Sequence, residues 1–168
     1  MPASQPLPRL WLMTDERLGD RLFEAMGRLP AGAGIVFRHY SLAEAERRAL
    51  FDRVRSAAPG PVLLAGPAVL ASAWGAAGSH GLHWGATTAP AHDLAEIRLA
   101  EAAGASLIFL SPVFATRSHP AASPLGPAGF LALTRQTDIP VIALGGMNAR
   151  RAETLSGAYG WAGIDAWL

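Results

Sequence analysis

The sequence predicts an α/β fold, a shortened (β/α)8 barrel of the TIM-barrel type, and three observations support this prediction. Short apolar segments typical of strands alternate along the chain with segments whose apolar residues recur at helical spacing. The strand segments are almost wholly apolar, which indicates strands buried on both faces of a parallel sheet. Seven or eight such units fit the 168 residues, so we expect one domain over 1–168, with an open doubly wound sheet as the alternative.

Each element is delimited by its apolar residues and by the turn and capping residues beside it. The predicted strands cover residues 10–15, 34–40, 61–65, 80–85, 105–114, 139–147 and the closing segment 160–168. The predicted helices cover residues 16–29, 41–57, 68–77, 94–103, 127–137 and 149–157. Ser41 and Glu44 have the spacing of a capping box. Asp93 and Asn148 are expected to cap the helices that follow them, and Pro127 fits a first helical turn.

Two places depart from a complete barrel. Only a few residues separate the strand at 80–85 from residue 93, whereas a parallel crossover needs about a dozen. We therefore expect the fourth helix to be reduced or missing, and 86–92 to form a short strand or a loop. The last predicted strand is followed by no final helix. Trp161, Trp167 and Leu168 would then lie uncovered, and an exposed apolar patch of this kind favours a homo-oligomer.

The composition excludes several classes of site and partner. The chain has no Cys, so it forms neither disulfides nor thiolate metal sites. All 14 basic charges belong to Arg, which excludes a Schiff-base lysine. The net charge is +1 and no basic face stands out, so we expect no nucleic-acid partner. Gly60-Pro61 and Gly66-Pro67 interrupt the uncharged stretch between Arg55 and Asp93, so we expect no membrane span and a cytoplasmic protein.

The predicted site lies at the rim where the strands end, because barrel enzymes bind their ligands there. The loop after the strand at 105–114 is rich in Pro, Ser and Thr, and it carries Thr116 and His119. His80 is expected to precede its strand. Three other histidines share the rim: His39, His83 and His92. Each of them could instead form only local hydrogen bonds, and no histidine spacing typical of a zinc site is present.

His92 is the best candidate for a catalytic group. It precedes Asp93, and the positive end of a helix favours a neutral imidazole that exchanges a proton near neutral pH. A histidine in a capping turn, without chemistry, explains the position equally well. Gly145 and Gly146 lie between a strand and a helix start, where backbone N–H groups bind phosphate, although a tight turn needs the same residues.

Four motifs, in their order and spacing, resemble the thiamine phosphate synthase family, which includes the thiazole tautomerases. They are LWLMTD at 10–15, SPVFATRSH at 111–119, IPVIALGGMN at 139–148 and GAYGWAGIDA at 157–166. The resemblance covers nearly the whole chain and implies a (β/α)8 barrel. It implies that the loop after Phe114 is a lid over a diphosphate. The synthase joins a hydroxymethylpyrimidine diphosphate to a thiazole phosphate with Mg²⁺ and releases pyrophosphate. The tautomerase shifts protons on a thiazole carboxylate phosphate.

The resemblance also implies a changed substrate site. Arg38 matches an arginine on the family's second strand, while Val36 and Tyr40 replace the glutamine and lysine beside it. His119 replaces the lysine of the lid. Asp165 replaces a phosphate-binding serine, and a carboxylate there repels phosphate unless it is protonated or paired.

The magnesium ligands implied by the resemblance are replaced as well. Ala65-Gly66 stands where the family has an Asn-Asp pair, and its second metal-binding aspartate falls near Thr88. His92 matches the catalytic histidine of the tautomerases, although Pro90 replaces the serine two residues earlier. We therefore expect no metal site and no cofactor, although the family implies Mg²⁺.

Three functions fit this sequence, each with a small-molecule ligand or a partner at the barrel mouth. The first is a divergent thiamine phosphate synthase-like protein of thiamine metabolism that binds a thiazole- or pyrimidine-type ligand. The second is metal-free proton transfer, with His92 as acid and base and Arg38 orienting an anionic group. The third is a catalytically inactive barrel that binds a ligand or a partner protein. The predicted ligand contacts are Arg38, His39, His83, Thr116, His119, Gly145 and Gly146.

Overall fold

The computed structural model describes residues 6–168, which form a closed barrel of eight parallel strands paired in chain order. The strands are β1 Leu10–Met13, β2 Gly34–Phe37, β3 Val62–Ala65, β4 Gly78–His80, β5 Thr88–Ala91, β6 Leu107–Leu110, β7 Val141–Ala143 and β8 Gly160–Gly163. The helices are α1 Leu22–Gly27, α2 Glu44–Ala57, α3 Ala68–Ala73, α4 Leu94–Ala102, α5 Gly126–Thr134 and α6 Ala149–Ala152. The barrel prediction is confirmed. Residues 1–5 of the predicted domain lie outside the described residues.

The side chains of the strands alternate between the barrel interior and the layer under the helices. Inside the barrel, the ring of Trp11 packs edge-to-face against Phe109 with 5.4 Å between centroids. Gly34 lies against the Trp11 ring, and a Cβ at that position would collide with it. On the outer face, residues such as Leu12 and Ile35 pack with the helices in the larger apolar cluster. Full burial of each such side chain stabilises the fold by about 1.5–3 kcal/mol.

The segment between β4 and β5 confirms the reduced fourth unit. Residues 81–87 connect the two strands without a helix, and residues 88–91 form a strand rather than a loop. The strand predicted at 80–85 is wrong in its bounds, because pairing with β3 ends at His80. The chain then turns back, and the backbone N–H of Thr87 donates to the Ser79 carbonyl at 2.9 Å.

Two of the predicted helix starts are confirmed and one is wrong. The Asp93 carboxylate accepts from the Glu96 backbone N–H at 2.9 Å, and the Asn148 side chain caps α6 in the same way. The capping box does not form, because α2 begins only at Glu44. The backbone N–H of Ser41 instead donates to Glu16 at 2.7 Å.

The remaining helix predictions concern the start of α5 and the end of α6. Pro127 lies in the first turn of α5, as predicted. Helix α6 ends at Ala152 rather than at residue 157.

The segment after β8 corrects the expectation of an uncovered apolar patch. Residues 165–167 form a single 3₁₀ turn, which brings Trp167 into the apolar cluster on the outer face of the barrel. Trp161 and Trp167 are buried and stack with 4.9 Å between centroids. The Trp167 indole also donates to the Trp11 carbonyl at 3.1 Å. The two rings cover each other, so they do not form the exposed patch that favoured a homo-oligomer. Homo-oligomerisation itself stays a prediction.

Among the helices of residues 6–168, none has both the length and the apolar character needed to cross a bilayer.

Candidate functional site

A cavity of about 210 Å³ opens at the carboxyl ends of the strands. It is bounded by the loops that follow β1, β2, β6, β7 and β8. We call it the mouth cavity. Its lining residues are Arg17, Arg38, Ser111, Pro112, Ala115, Thr116, Arg117, Ser118, His119, Leu144, Gly145, Gly146, Met147, Gly163, Ile164, Asp165 and Ala166. The volume is roughly seven times that of a liquid water molecule, which is enough for a small ring joined to a phosphate.

Arg38 is held beside this cavity by Thr14 and Asp15, the two residues that follow β1. Its backbone N–H and its Nε donate to the hydroxyl and the carbonyl of Thr14 at 2.9 and 2.7 Å. Its Nη2 donates to Asp15 at 3.2 Å, while its Nη1 makes no hydrogen bond within residues 6–168. Burial lowers the pKa of Arg38, and the Asp15 carboxylate opposes that shift. The guanidinium is therefore fixed in place with one amino group left to bind an anion.

Asp15 joins Arg38 to Arg17, which follows β1. One Asp15 oxygen accepts from both the backbone N–H and the Nε of Arg17, at 2.9 and 3.0 Å. Burial would raise the pKa of Asp15, but these hydrogen bonds and the charges of Arg17 and Arg38 outweigh it and lower the pKa. Arg17 then reaches across the mouth, where its Nη2 donates to the Ser118 hydroxyl at 3.0 Å. The loop after β6 is thereby tied to the loop after β1.

The glycine pair after β7 is required by close packing. Gly145 and Gly146 have φ values of +97° and +60°, in the left-handed region that favours glycine. A Cβ on Gly145 would lie 2.7 Å from the Pro112 Cα, and one on Gly146 would lie 2.5 Å from the Ala115 carbonyl oxygen. The pair therefore seats the β7 loop against the β6 loop. Phosphate binding by its backbone stays a prediction.

The structure brings together five of the eight predicted site residues. Those that line the mouth cavity are Arg38, Thr116, His119, Gly145 and Gly146. The other three, His39, His83 and His92, lie elsewhere on the barrel and are not in its lining.

His39 is outside the lining of the mouth cavity. It is a buried residue with a left-handed φ of +44°, and its ring stacks on Phe37 at 5.0 Å. Its Nδ1 lies 3.0 Å from the Thr14 hydroxyl, and burial lowers its pKa. The ring borders a second hollow of about 400 Å³, which lies between the segment after β1 and helix α2.

His83 and His92 are engaged in local hydrogen bonds. His83 lies in the loop after β4, where its two ring nitrogens are 2.8 Å from the Gly66 carbonyl and 3.1 Å from the Trp84 carbonyl. His92 is an exposed residue after β5, and its Nδ1 lies 2.7 Å from a Glu96 carboxylate oxygen. Both rings use the protein itself as a hydrogen-bond partner.

His80 is the residue whose position the sequence analysis placed wrongly. It does not precede its strand but ends β4, and its ring lies inside the barrel against Phe109 at 5.1 Å. Its Nδ1 is 2.8 Å from the Thr88 hydroxyl, and burial lowers its pKa to about 3. A predicted strand that begins at Gly78, where β4 begins, would have placed His80 at the end of the strand.

Arg17 and Arg117 also line the cavity, although they are not among the residues predicted from the sequence. Arg17 follows the predicted strand at 10–15 by two residues, which was the available signal for a rim position. Arg117 lies inside the motif at 111–119, between the predicted site residues Thr116 and His119. With Arg38, these side chains bring three guanidinium groups to one cavity.

The donor set of the mouth does not fit a divalent cation. Within residues 6–168, no three His, Asp or Glu side chains cluster closely enough to hold a metal ion. Asp165 is the one carboxylate in the cavity lining, and Asp15 is bound to two arginines. Thr88 is buried and bonded to His80. Mg²⁺ prefers several oxygen ligands with carboxylates among them, and this mouth offers one.

Comparison with known proteins gives matches of both sequence and fold. A family model described as thiamine monophosphate synthase matches residues 10–167. A putative thiamine-phosphate synthase 2 from Aquifex aeolicus is 42% identical over 80 residues. A thiamine-phosphate synthase from Chloroflexus aurantiacus is 38% identical over 79 residues. These matches cover 46% and 45% of this chain, but only 43% and 37% of the length of those relatives.

Solved structures share the barrel at lower sequence identity. A thiamine phosphate pyrophosphorylase from Pyrococcus furiosus superposes with a TM-score of 0.74 at 22% identity, over 94% of this chain and 86% of that one. A thiamine phosphate pyrophosphorylase from Bacteroides thetaiotaomicron superposes with a TM-score of 0.54 at 14% identity, over 92% of this chain and 81% of that one. At these identities the likeness is one of fold.

Proposed function

We propose that this chain, which belongs to the thiamine monophosphate synthase family, binds a phosphate-bearing thiazole- or pyrimidine-type ligand of thiamine metabolism in its mouth cavity. In this proposal the chain does so without the magnesium-dependent coupling of two substrates. The observation that carries the proposal is the composition of the cavity lining, which includes three arginines and one carboxylate. It therefore has the residues to bind an anion but not a set of carboxylates to bind a metal ion.

The arginines supply the chemistry of anion binding. A guanidinium offers planar, paired N–H donors that match phosphate oxygens, and it keeps its charge at any physiological pH. Arg38 is fixed by Thr14 and Asp15, so little conformational entropy is lost when it binds. Arg117 and His119 lie on the exposed loop above the cavity, where they can close over a bound phosphate.

The missing metal ligands argue against the coupling reaction. Departure of a diphosphate requires stabilisation of the charge that develops on it, and divalent cations ordinarily supply this. Among residues 6–168, the lining of the mouth cavity contains one carboxylate, that of Asp165. We therefore expect binding of one ligand rather than joining of two.

Proton transfer by His92 has less support than ligand binding. His92 is outside the lining of the mouth cavity and is paired with Glu96. A general acid or base must reach the proton that it moves, directly or through one water. His92 stays a predicted catalytic residue for which an activity measurement is the test.

The first experiment is calorimetric titration of thiazole phosphate into the wild type, Arg117→Ala and Arg135→Ala. Arg117 lines the cavity, whereas Arg135 is an exposed arginine at the end of α5 and outside the lining. We expect Arg117→Ala to weaken binding about tenfold, the effect of one charge-assisted hydrogen bond, and Arg135→Ala to leave the Kd unchanged. Equal loss in both variants, or no binding to the wild type, would refute the proposal.

A coupling assay tests the second part of the proposal. Pyrimidine diphosphate, thiazole phosphate and Mg²⁺ are supplied together, with His92→Ala as the parallel variant. We expect no thiamine phosphate from either protein. Product formation at a useful rate would mean that other groups hold the diphosphate, and the proposed loss of coupling would be wrong.

A further inference from the structure

Asp165 introduces a negative charge into a cavity otherwise suited to anions. It lies in the same lining as Arg17, Arg38 and Arg117 and is exposed to solvent. Within residues 6–168 its carboxylate forms no hydrogen bond and no ion pair. Asp15, which lies beside the same arginines, is bonded to both Arg17 and Arg38. Asp165 therefore keeps its full capacity to interact with a ligand.

The position of Asp165 is set by the turn that follows β8. Its carbonyl accepts from the Leu168 backbone N–H at 3.2 Å, closing the 3₁₀ turn. Trp167 in that turn is stacked on Trp161 and bonded to the Trp11 carbonyl. The carboxylate is thus presented from an anchored turn rather than from the loop above the cavity.

A carboxylate that lines a phosphate-binding cavity opposes binding unless the ligand brings a compensating charge. A ligand with phosphate at one end and a positive ring nitrogen at the other satisfies both the arginines and Asp165. A neutral ring leaves the carboxylate facing the phosphate without compensation.

We infer that Asp165 is a specificity-determining residue, which selects phosphate esters of positively charged nitrogen heterocycles over neutral ones of the same shape. This inference rests on the proposed function, since it assumes that the mouth cavity binds the phosphate. It adds the charge of the ring, which the proposed function leaves open.

The experiment compares two ligands that differ by one methyl group and one charge: thiazole phosphate and its N-methylthiazolium counterpart. Both are titrated calorimetrically into the wild type, Asp165→Asn, Asp165→Glu and Asp138→Asn. Asp138 is an exposed acid that precedes β7, at the opposite end of the barrel, and it provides a control of equal charge change.

We expect the wild type to bind the cationic ligand about fivefold more tightly, the size of one solvent-exposed ion pair. Asp165→Asn should bind the two ligands equally and hold the neutral one more tightly than the wild type does. Asp165→Glu and Asp138→Asn should retain the preference for the cation.

Three outcomes would overturn the inference. Equal binding of both ligands to the wild type shows that the carboxylate does not select charge, while the proposed function stands. A preference that persists in Asp165→Asn places the selection on another group. Failure of the wild type to bind either ligand removes the proposed function and the inference together.

Discussion

The two sides of the barrel mouth carry similar polar residues but use them differently. We call the loops after β1, β2, β6, β7 and β8 the cavity side, and the loops after β3, β4 and β5 the closed side. On the cavity side, Arg38 and Asp165 retain donors or acceptors that face the cavity. On the closed side, His83 and His92 lie against a backbone carbonyl and a carboxylate. Position at a strand end therefore does not by itself bring a polar side chain to the cavity with unused hydrogen-bonding capacity.

The largest expected effect comes from breaking the packing of the cavity side with Gly145→Ala. The left-handed φ and the clash with Pro112 together should destabilise the fold by roughly 2–5 kcal/mol. Urea unfolding followed by fluorescence of the buried tryptophans measures the change. An unchanged midpoint would show that the β6 and β7 loops are not packed as described.

The matched control for that variant is Gly129→Ala in helix α5. A Cβ there would lie 3.5 Å from the Leu125 Cβ, an ordinary contact, and alanine is favoured over glycine inside a helix. We expect a gain of about 0.5–1 kcal/mol. The opposite signs of the two substitutions separate backbone strain from a general intolerance to added methyl groups.

Buried histidines, and His80 inside the barrel above all, should dominate the loss of stability in mild acid. His80 is buried with a pKa lowered to about 3, so the folded protein resists the proton that the unfolded chain takes up near pH 6.5. Because the unfolded state then binds more protons, the free energy of unfolding falls as pH falls, by up to about 1.4 kcal/mol per pH unit. Burial also lowers the pKa of His39, which adds a contribution of the same sign.

Urea midpoints between pH 6.5 and 4.5 measure this slope, and His80→Gln should reduce it. The upper part of that window, from pH 6.5 to about 5.5, lies above the usual titration range of carboxylates, so the slope there reports on histidine. Asp15 contributes at lower pH, where its lowered pKa makes it lose stabilising interactions on protonation. A slope unchanged by His80→Gln would place the acid sensitivity elsewhere.

The smallest effect concerns the link across the cavity side between Arg17 and Ser118. The Arg17→Ala substitution removes this exposed hydrogen bond. We expect it to lower the free energy of opening the loop by about 1 kcal/mol or less. Trypsin should then cleave after Arg117 about two- to fivefold faster, which mass spectrometry of the digest quantifies. Ser118→Ala in the Arg17→Ala background should add nothing further, and an additive effect would mean that the two residues do not interact.

Much of the fold followed from local sequence patterns. The alternation of apolar segments predicted the barrel, and Asp93 and Asn148 marked helix starts because capping depends on residues within one turn. The bounds of β4 were wrong because His80, His83 and Trp84 occur in a polar-apolar stretch that fits a strand in more than one register. The capping box failed because Glu16, 25 residues away along the chain, binds the backbone of Ser41.

The sequence by itself determined that this chain would form parallel strands and helices in a barrel, and that the rim would be polar. Only the tertiary structure decided which rim residues face a cavity. The partners involved are remote along the chain: Arg17 and Ser118 are 101 positions apart, and Trp167 and Trp11 are 156 apart. Local patterns are set by contacts within a turn or a strand. The cavity depends instead on the closure of the barrel, which brings distant charged residues together. Some of these residues then pair with one another, and others keep free donors or acceptors.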